Sequence, residues 1–325
     1  MTTRQALTVT WIAATVAIIA LNVLLPQPFG LSAMGAVFEP YLVLIALVVG
    51  IAGIRSLSRA GRILVVVLVA IVFIRYVPGW TAAATQPSDD PIRISTWNMH
   101  AGDNAAERVL EGVSNSNAQI LAIEELGPEA VAALNEEADR FPYKALTSDT
   151  RFLDVGLLSE FPIIESERST NPPFVRAVVD TPDGDAPIVV YAVHMPLARL
   201  VYIGGVPIGV DFSARDRAIV ILSTRIEEDL AEHQRVIVLG DFNTTERELG
   251  YDVVSRGLRD AHMDAGVGPG FSWRPPPIDF VPFGLLRIDY VFSTPDLRAT
   301  SATVDCSLPS DHCRVDVVLD VMIRP

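Results

Sequence analysis

At positions 236 to 243 the sequence reads Val236-Ile237-Val238-Leu239-Gly240-Asp241-Phe242-Asn243. The four apolar residues predict a buried strand, and the glycine permits a tight turn that presents the carboxylate after it. Other short apolar or β-branched runs are followed by polar residues in the same way: Ile92–Thr96 by Asn98, Ile120–Ile123 by Glu125, and Val189–Val193 by His194. Polar residues at the ends of buried strands converge on one edge of a sheet. The sequence therefore predicts an α/β fold with a polar site at that edge.

Helical patterns alternate with these strands. Helices are predicted at Ala105–Gly112, Ala130–Ala138, Ser213–Glu232 and, in a shorter form, around Glu246–Ser255. Further strands are predicted near Ile288–Phe292, Thr300–Cys306 and Arg314–Val321. Taken alone, this alternation supports an α/β protein with a buried sheet.

The polar residues suit a divalent cation together with acid/base chemistry. Glu125 and Asn98 carry hard oxygen donors at the ends of adjacent strands, which Mg²⁺ or Mn²⁺ prefers. Asp289 and His312 have the form of a base with its orienting carboxylate, because an Asp that accepts one ring N–H fixes the imidazole tautomer. This combination favours the cleavage of a phosphoester.

These residues also carry a resemblance to the endonuclease/exonuclease/phosphatase superfamily. The matching segments occur in the family's order: Trp97-Asn98, Glu124-Glu125, Gly156–Ile163, Val193-His194, Gly240–Asn243, Arg287–Tyr290 and Ser310-Asp311-His312. The resemblance covers about residues 91 to 325 and implies a two-sheet α/β sandwich, like that of DNase I.

The resemblance also implies a role for each site residue. Asp241 would orient or deprotonate the attacking water or assist the leaving oxygen, and Asn243 would donate its amide to a phosphate oxygen. His194 would donate to a phosphate oxygen as charge builds. The implied metal ligands are Asn98, Glu125 and Asp311, and the implied catalytic residues are His194, Asp241, Asn243, Asp289 and His312.

Two consecutive glutamates make the choice of metal ligand ambiguous. The family more often has Gln at the position of Glu124. Because neighbouring residues on a strand point to opposite faces, only one carboxylate is expected to reach the site, and we assign it to Glu125.

The first 80 residues resemble a membrane anchor with about three transmembrane helices. Ala6–Leu25 is twenty residues without a charge, Ile63–Ile74 is a second apolar run, and Tyr41–Ile54 is a short span or a re-entrant hairpin. A signal peptide is the alternative for the first run, but no small-x-small cleavage site follows it. Arg4 and the basic loop at residues 54–62 should stay inside, so three spans place the remainder outside the cytoplasm of a multi-pass plasma-membrane protein.

The catalytic part, residues 91–325, follows a small, polar linker at residues 81–90. Residues 1–80 hold five Arg and one Glu, which leaves 20 basic and 38 acidic residues and a formal charge of −18 in the remainder. Proteins that bind nucleic acid usually present a basic surface, so this negative charge disfavours nucleic acid as the partner.

Cys306 and Cys313 lie close together in the sequence, on either side of Asp311 and His312. Outside the cytoplasm a disulfide would brace the loop that carries these two residues. Two reduced, buried thiols on adjacent strands are an equal alternative.

Two apolar segments that are predicted to be loops, Leu197–Val210 and Pro275–Leu286, flank the predicted site. Exposed apolar segments mark interaction sites, and beside a membrane anchor the expected partner is the lipid bilayer. The alternative is that these segments pack on each other or on the transmembrane helices. The arrangement resembles the membrane-anchored branch of the family thought to hydrolyse undecaprenyl diphosphate. We therefore expect a Mg²⁺-dependent phosphoesterase acting on a lipid phosphate or diphosphate; an extracytoplasmic nuclease and a non-catalytic scaffold are the alternatives.

Overall fold

The computed structural model describes residues 2–24, 31–82, 84–137, 139–147, 154–182, 186–232, 234–275 and 280–322. Its helices are α1 (Thr3–Leu24), α2 (Leu31–Val37), α3 (Glu39–Gly53), α4 (Arg59–Arg75), α5 (Val77–Trp80), α6 (Ala105–Ser114), α7 (Pro128–Glu137), α8 (Ser213–Ala231), α9 (Leu249–Val254) and α10 (Ala261–Ala265). Its strands are β1 (Ile92–Asn98), β2 (Ile120–Glu124), β3 (Tyr143–Leu146), β4 (Val155–Ser159), β5 (Ile163–Thr170), β6 (Pro173–Val179), β7 (Ile188–His194), β8 (Arg199–Ile203), β9 (Val206–Asp211), β10 (Arg235–Asp241), β11 (Arg259–Asp260), β12 (Asp289–Ser293), β13 (Leu297–Asp305) and β14 (Arg314–Val321).

Two six-stranded mixed sheets form the sandwich that the sequence predicts. One sheet has the order β13-β14-β1-β2-β4-β3, and the other has the order β11-β12-β10-β7-β6-β5. Apolar side chains from both sheets, including Ile94, Ala122, Val190 and Leu239, form one buried cluster. Because alternate residues of a strand face opposite sides, Trp97 packs outward with α6 and α7, and Val238 packs outward with α8. Both sheets are thus covered on both faces.

The apolar segment that follows His194 differs from its predicted form. Residues 199–211, predicted to be part of a loop, form the β-hairpin β8–β9. Gly204 and Gly205, both with positive φ, supply the left-handed backbone that its tight turn requires. Leu200, Tyr202 and Ile203 of this hairpin remain exposed. In the other segment, Phe280 and Phe283 are exposed, whereas Ile278 lies outside the described residues.

The helices α1, α3 and α4 pack together as a bundle around Ile12, Val43, Val65 and Leu68. One of the described helices, Gln5–Leu24, is long and apolar enough to cross a membrane by length and composition, and Glu39–Gly53 is a shorter apolar helix. At about 1.5 Å per residue, α3 and α4 are shorter than a hydrocarbon core of about 30 Å. Among the described residues, three full-length spans are therefore not seen, although each predicted apolar segment is largely helical where it is described.

The bundle is joined to the sandwich by a polar cluster, which we call the junction cluster: Glu39, Arg75, Tyr76 and Arg247. The buried carboxylate of Glu39 accepts hydrogen bonds from Arg75 (2.6 Å) and from the hydroxyl of Tyr76 (2.9 Å). Arg247, from the sandwich, donates to the carbonyl of Arg75 at 2.9 Å, and its guanidinium lies 4.5 Å from the centre of the Tyr76 ring. The bundle and the sandwich are therefore in direct contact.

The linker predicted at residues 81–90 is exposed and lacks regular structure where it is described. It is nevertheless bonded to the sandwich, because Thr85 N–H donates to the carbonyl of Thr300 (2.8 Å) and Ser88 donates to Asp320 (2.9 Å). The segment thus follows the edge strand β13 and its neighbour β14.

Candidate active site

Strand register places His194, Asp241 and Asp289 side by side in one sheet, and we call these three residues the catalytic row. On β10, Asp241 pairs with His194 of the parallel strand β7 and with Asp289 of the antiparallel strand β12. Gly240 permits this arrangement, because its φ is +143° and a Cβ there would lie 2.0 Å from the carbonyl oxygen of Val193. No other residue type fits so close to β7 without moving the backbone.

The buried carboxylate of Asp241 is the centre of the site. Its Oδ2 accepts hydrogen bonds from Asn98 (3.0 Å) and Asn243 (3.3 Å). It also lies 3.7 Å from Nε2 of His194 and 3.7 Å from Nε2 of His312. Burial raises the pKa of Asp241 to about 7, although His312 opposes the shift. Four of the predicted site residues thus converge on one oxygen atom.

His312 and Asp289 form the pair that the sequence predicts. Nδ1 of His312 lies 2.9 Å from Oδ2 of Asp289, and Ser272 donates its hydroxyl to the same oxygen at 2.5 Å. Burial alone would lower the pKa of His312, but Asp289 and Asp241 outweigh it and raise the pKa to about 10. The imidazole is therefore protonated at neutral pH in this state, and its predicted role as a base requires a lower pKa.

His194 is buried beside the same carboxylate but has the opposite electrostatic character. Burial lowers the pKa of His194 to about 4, even though Glu125 lies 3.9 Å from its Nε2 and favours the charged form. A neutral imidazole at this position can donate one N–H without carrying a charge. His194 and His312 therefore differ in protonation at neutral pH, which separates their chemical roles.

Asn243 is held by several contacts. Its side-chain nitrogen donates to the carbonyl of Met195 at 2.8 Å as well as to Asp241, and its backbone N–H donates to Oδ1 of Asp241 at 2.8 Å. Its carbonyl accepts from the buried guanidinium of Arg215 at 2.6 Å. Both amide contacts are to protein acceptors, so the predicted donation to a phosphate stays a prediction.

Asn98 and Glu125 meet across the end of β1 and β2. The amide of Asn98 donates to Oε1 of Glu125 at 3.0 Å, and Oε2 of Glu125 accepts from the backbone N–H of Ala101 at 2.9 Å. Glu125 has a φ of +61°, so the alternation of side chains along β2 ends at Glu124. Left-handed backbone at a non-glycine residue costs on the order of 1–3 kcal/mol and is common at functional sites.

Glu124 also lies near the site, which the alternation argument did not anticipate. Its side chain is buried between the sheets and accepts from the hydroxyl of Thr96 at 2.7 Å. Burial raises the pKa of Glu124 well above its ordinary value, and Asp289 and Asp241 raise it further. Burial at this position therefore favours the neutral form of the Glu124 carboxyl group.

Asp311 lies at the rim of the site. Its Oδ1 is 3.0 Å from Nδ1 of His100, and its Oδ2 accepts from the indole N–H of Trp273 at 3.3 Å. The hydrogen bond with Asp311 raises the pKa of His100 despite partial burial. The disulfide between Cys306 and Cys313 closes the loop around Asp311 and His312, so the paired alternative for the cysteines is the one observed.

The residues present fit a divalent cation. Among the described groups, Asp241, Asp289 and His312 place one possible ligand atom each within 4.8 Å of one another. These are residues that the sequence interpretation assigned to catalysis, and the predicted ligands Asn98 and Glu125 adjoin them. In the described part of the chain, the charged partners of these carboxylates are histidines. The negative charges of the site carboxylates outnumber the positive charges near them. A bound Mg²⁺ or Mn²⁺ would neutralise this excess negative charge.

Two contributors were missed in the sequence. Ser272 and Trp273 were given no role, yet each contacts a site residue directly. Ser272-Trp273 lies in a stretch without helix or strand periodicity, so no pattern pointed to the site. His100 follows Asn98 by two residues, which predicts a position near the site, and it contacts Asp311 there.

The fold and the donor set define a hydrolase of phosphoesters. Residues 95–312 match the profile of the Endonuclease/Exonuclease/phosphatase family, and the chain belongs to that family. Enzymes of this family are typically dependent on divalent metal, in keeping with the Asp/Asp/His cluster. No curated protein matches the chain at a significant level.

Solved structures with the same fold include several members of this family. A protein of the family from Bacteroides vulgatus superposes with a TM-score of 0.58 at 15% identity, covering 72% of this chain and 100% of that one. A 3′-phosphatase from Neisseria, bound to a product DNA hairpin, gives 0.57 at 16% identity, covering 70% and 99%. A mannosyl-6-phosphatase from Bacteroides thetaiotaomicron gives 0.54 at 16% identity, covering 70% and 99%. At these identities the likeness establishes the fold alone.

Proposed function

We propose that this phosphoesterase is anchored in the plasma membrane and hydrolyses a lipid phosphate or diphosphate, of the isoprenyl type, outside the cytoplasm. One observation carries the proposal: both segments that flank the active site are apolar, exposed and next to the helical bundle. The hairpin β8–β9 follows His194 and lies against α2, and the hydroxyl of Tyr41 in α3 donates to the carbonyl of Leu285 near Asp289. A lipid held in the bilayer would reach the site from the side on which these two segments meet the helices.

The surface of the bundle supports a membrane as its surroundings. Its outward side chains are large and apolar, and they include Leu7, Leu24, Val48, Val66 and Ile74, each more than half exposed. Contiguous apolar surface of this kind is unfavourable in water, at roughly 25 cal/mol per Å². A bilayer would cover it.

The arrangement of the bundle supports the proposed orientation. Gln5, at the start of α1, donates to the carbonyl of Ser56 in the loop before α4, so the N-terminus and this loop lie at one end. That loop carries Arg55, and the first turn of α4 carries Arg59 and Arg62, whereas the junction cluster lies at the end of α4 and the start of α3. Basic residues remain on the cytoplasmic side, which leaves the sandwich on the other side. The disulfide is also typical of an oxidising compartment.

The site residues would act on the phosphate as follows. Neutral His194 donates an N–H to a phosphate oxygen, and Asp241 orients the attacking water or assists the leaving oxygen. Protonated His312, positioned by Asp289, stabilises negative charge as it develops. The cation would be held by oxygens of Asn98, Glu125 and Asp311, and when bound it would supply Lewis-acid polarisation of the phosphate.

A nuclease is the second candidate, because one relative of the same fold is bound to a DNA hairpin. The formal charge of −18 after residue 80 opposes it, since phosphate neutralisation supplies much of the affinity for nucleic acid. A substrate panel on the full chain with Mg²⁺ distinguishes the two. We expect turnover of an isoprenyl diphosphate and little or none of plasmid DNA; the reverse order would favour the nuclease.

The flanking segments provide a sharper test. The pair Leu200→Asp and Phe283→Asp should reduce turnover of a long-chain diphosphate while leaving a short soluble phosphate ester nearly unaffected. Ile164→Asp with Val220→Asp is the matched control, because both residues are exposed and lie on β5 and α8, apart from the flanking segments. Equal losses on the two substrates would mean that the flanking segments support the fold instead.

A further inference from the structure

Two adjoining clefts lie beside the catalytic row, and they differ in polarity. The first, of about 580 Å³, is lined mainly by apolar residues, among them Ala84, Val267, Phe271, Phe283, Ala302 and Val304. The second, of about 500 Å³, is lined by His100, Arg108, Phe280, Ser310 and Asp311. Both volumes fall within the range of roughly 300–1,000 Å³ that is usual for ligand pockets.

The two clefts meet at Cys306, which lines both of them. Cys306 is held by its disulfide to Cys313, the residue after His312, so the boundary between the clefts is fixed to the catalytic loop. Asp311 lines the polar cleft and directly precedes His312. The polar cleft therefore reaches the rim of the active site at Asp311, and the apolar cleft adjoins it at Cys306.

The rims of both clefts expose large apolar side chains to solvent. Val267 is 74% exposed, Phe280 is 79% exposed and Phe283 is 56% exposed. Exposed aromatic and branched side chains around a cleft are unfavourable unless a ligand covers them. The ligand must then be apolar over the part that lies in the first cleft.

The apolar cleft also adjoins the helical bundle. The Phe271 ring, which lines it, lies 6.2 Å from the ring of Tyr41 in α3. Gly268, next to Val267, donates its N–H to the carbonyl of Trp80 at 2.9 Å. The cleft therefore runs from the bundle towards the catalytic row, which is the path that a chain leaving the bilayer would follow.

We propose that these clefts bind one amphipathic substrate, with its hydrocarbon chain in the apolar cleft and its phosphate end towards Asp311. The inference deepens the proposed function and rests on it for the identity of the phosphate as a substrate. The apolar cleft is then the determinant of chain length, since each methylene buried there contributes to binding until the cleft is filled.

Thr303→Trp tests this assignment. Thr303 lines the apolar cleft from β13 and is exposed, so the larger side chain occupies the cleft without entering the core. Thr224→Trp, on the exposed face of α8, is the matched control. Ala84→Trp, in the linker segment that lies beside β13, is a second variant that narrows the same cleft. Thermal unfolding of all three should agree with the wild type.

The measurement is binding of n-alkyl phosphonates of increasing chain length to the full chain in phosphatidylcholine nanodiscs. Wild type and Thr224→Trp should bind more tightly by roughly fourfold per added methylene, the equivalent of about 0.8 kcal/mol, beyond partitioning into an empty nanodisc. Thr303→Trp and Ala84→Trp should lose this increase, with affinity for the longest chain lower by at least tenfold and affinity for the shortest unchanged. Unchanged chain-length dependence in both variants would overturn the assignment.

Phosphonates are not hydrolysed, so this readout is independent of turnover. If Thr303→Trp and Ala84→Trp lose the chain-length dependence but the wild type does not cleave isoprenyl diphosphate, the cleft assignment is supported and the proposed substrate is wrong. If the wild type cleaves isoprenyl diphosphate but both variants bind all chains as the wild type does, the proposed function is supported and the cleft assignment is wrong.

Discussion

Asp241 and Asp289 are register partners on β10 and β12, and one imidazole lies between their carboxylates. Nδ1 of His312 is 2.9 Å from Asp289, and its Nε2 is 3.7 Å from Asp241. Because the ring is buried with a carboxylate beside each nitrogen, its charge state depends on both. This arrangement determines several of the expected properties of the site.

Removal of Glu125 should abolish most of the activity. Glu125→Ala removes a hard oxygen ligand and the acceptor for Asn98, so kcat/KM should fall by at least roughly 100-fold, the upper effect seen for residues that support metal ligands. EDTA should abolish the activity of the wild type, and added Mg²⁺ or Mn²⁺ should restore that activity. Glu129→Ala, an exposed glutamate in the first turn of α7, is the control. Full activity of the wild type in EDTA would end the metal-site interpretation.

His312 and Asp289 should act as a unit. Each single alanine variant should lower kcat by about 10²–10⁴-fold, the range for a positioned acid or base. Because Asp289 acts through His312, the double variant should be scarcely worse than His312→Ala alone. Steady-state kinetics of the three variants check this. Strictly multiplicative losses would mean that the two residues serve separate steps.

The pKa of His312 should respond to its carboxylates and to the cation. In the metal-free protein His312 should titrate near pH 10, well above its ordinary value of about 6.5, because Asp289 and Asp241 favour the imidazolium. Its stabilising contribution is then fully present below about pH 6.5 and is lost as the pH rises through about 10. Asp289→Asn and Mg²⁺ should each lower the pKa, since each reduces the negative charge near the ring. Histidine-selective NMR titration measures it, and a value near 6.5 without metal would contradict the electrostatic argument.

Gly240→Ala should destabilise the fold at the site. The new Cβ would lie 2.0 Å from the carbonyl oxygen of Val193, at a φ of +143°, so β7 and β10 would have to separate. We expect a loss of at least about 1–3 kcal/mol in unfolding free energy together with loss of activity. Gly209→Ala is the matched control, because no atom lies within 4 Å of a Cβ built there. Similar melting temperatures for the two variants would contradict the close-approach argument.

The catalytic sandwich should be exported. An alkaline phosphatase fused to the C-terminus should be active, and a GFP fused there should not fluoresce, because the three crossings proposed for α1, α3 and α4 would place that end outside the cytoplasm. α3 is the critical element, since its 15 residues are short for a full span. Inactive alkaline phosphatase with fluorescent GFP would place the sandwich in the cytoplasm, and the proposed extracytoplasmic substrate would then be withdrawn.

The ends of the strands were predictable from the sequence because an apolar run followed by a polar residue is a local signal. β1, β2, β7 and β10 begin and end within about two residues of the predicted runs, and the two-sheet sandwich followed from the family resemblance. The left-handed backbone at Glu125 was not predictable, because glutamate has no preference for it.

Contacts between segments that are distant in the sequence could not be predicted either. Ser272 reaches Asp289 from the loop before β12, and His100 reaches Asp311 because β1 and β14 are neighbours in one sheet. The two-residue turn at Gly204-Gly205 carried a local hairpin signal that the interpretation as an apolar loop passed over.

The junction cluster changes how the enzyme would find its substrate. Because Arg247 binds the end of α4 directly, the active site is held in a fixed position relative to the bundle instead of moving on a flexible linker. If the bundle is embedded in a bilayer as proposed, an enzyme fixed in this way would encounter its lipid substrate by lateral diffusion in two dimensions. Its rate would then follow the surface density of the lipid in the leaflet and would not change when the surrounding solution is diluted.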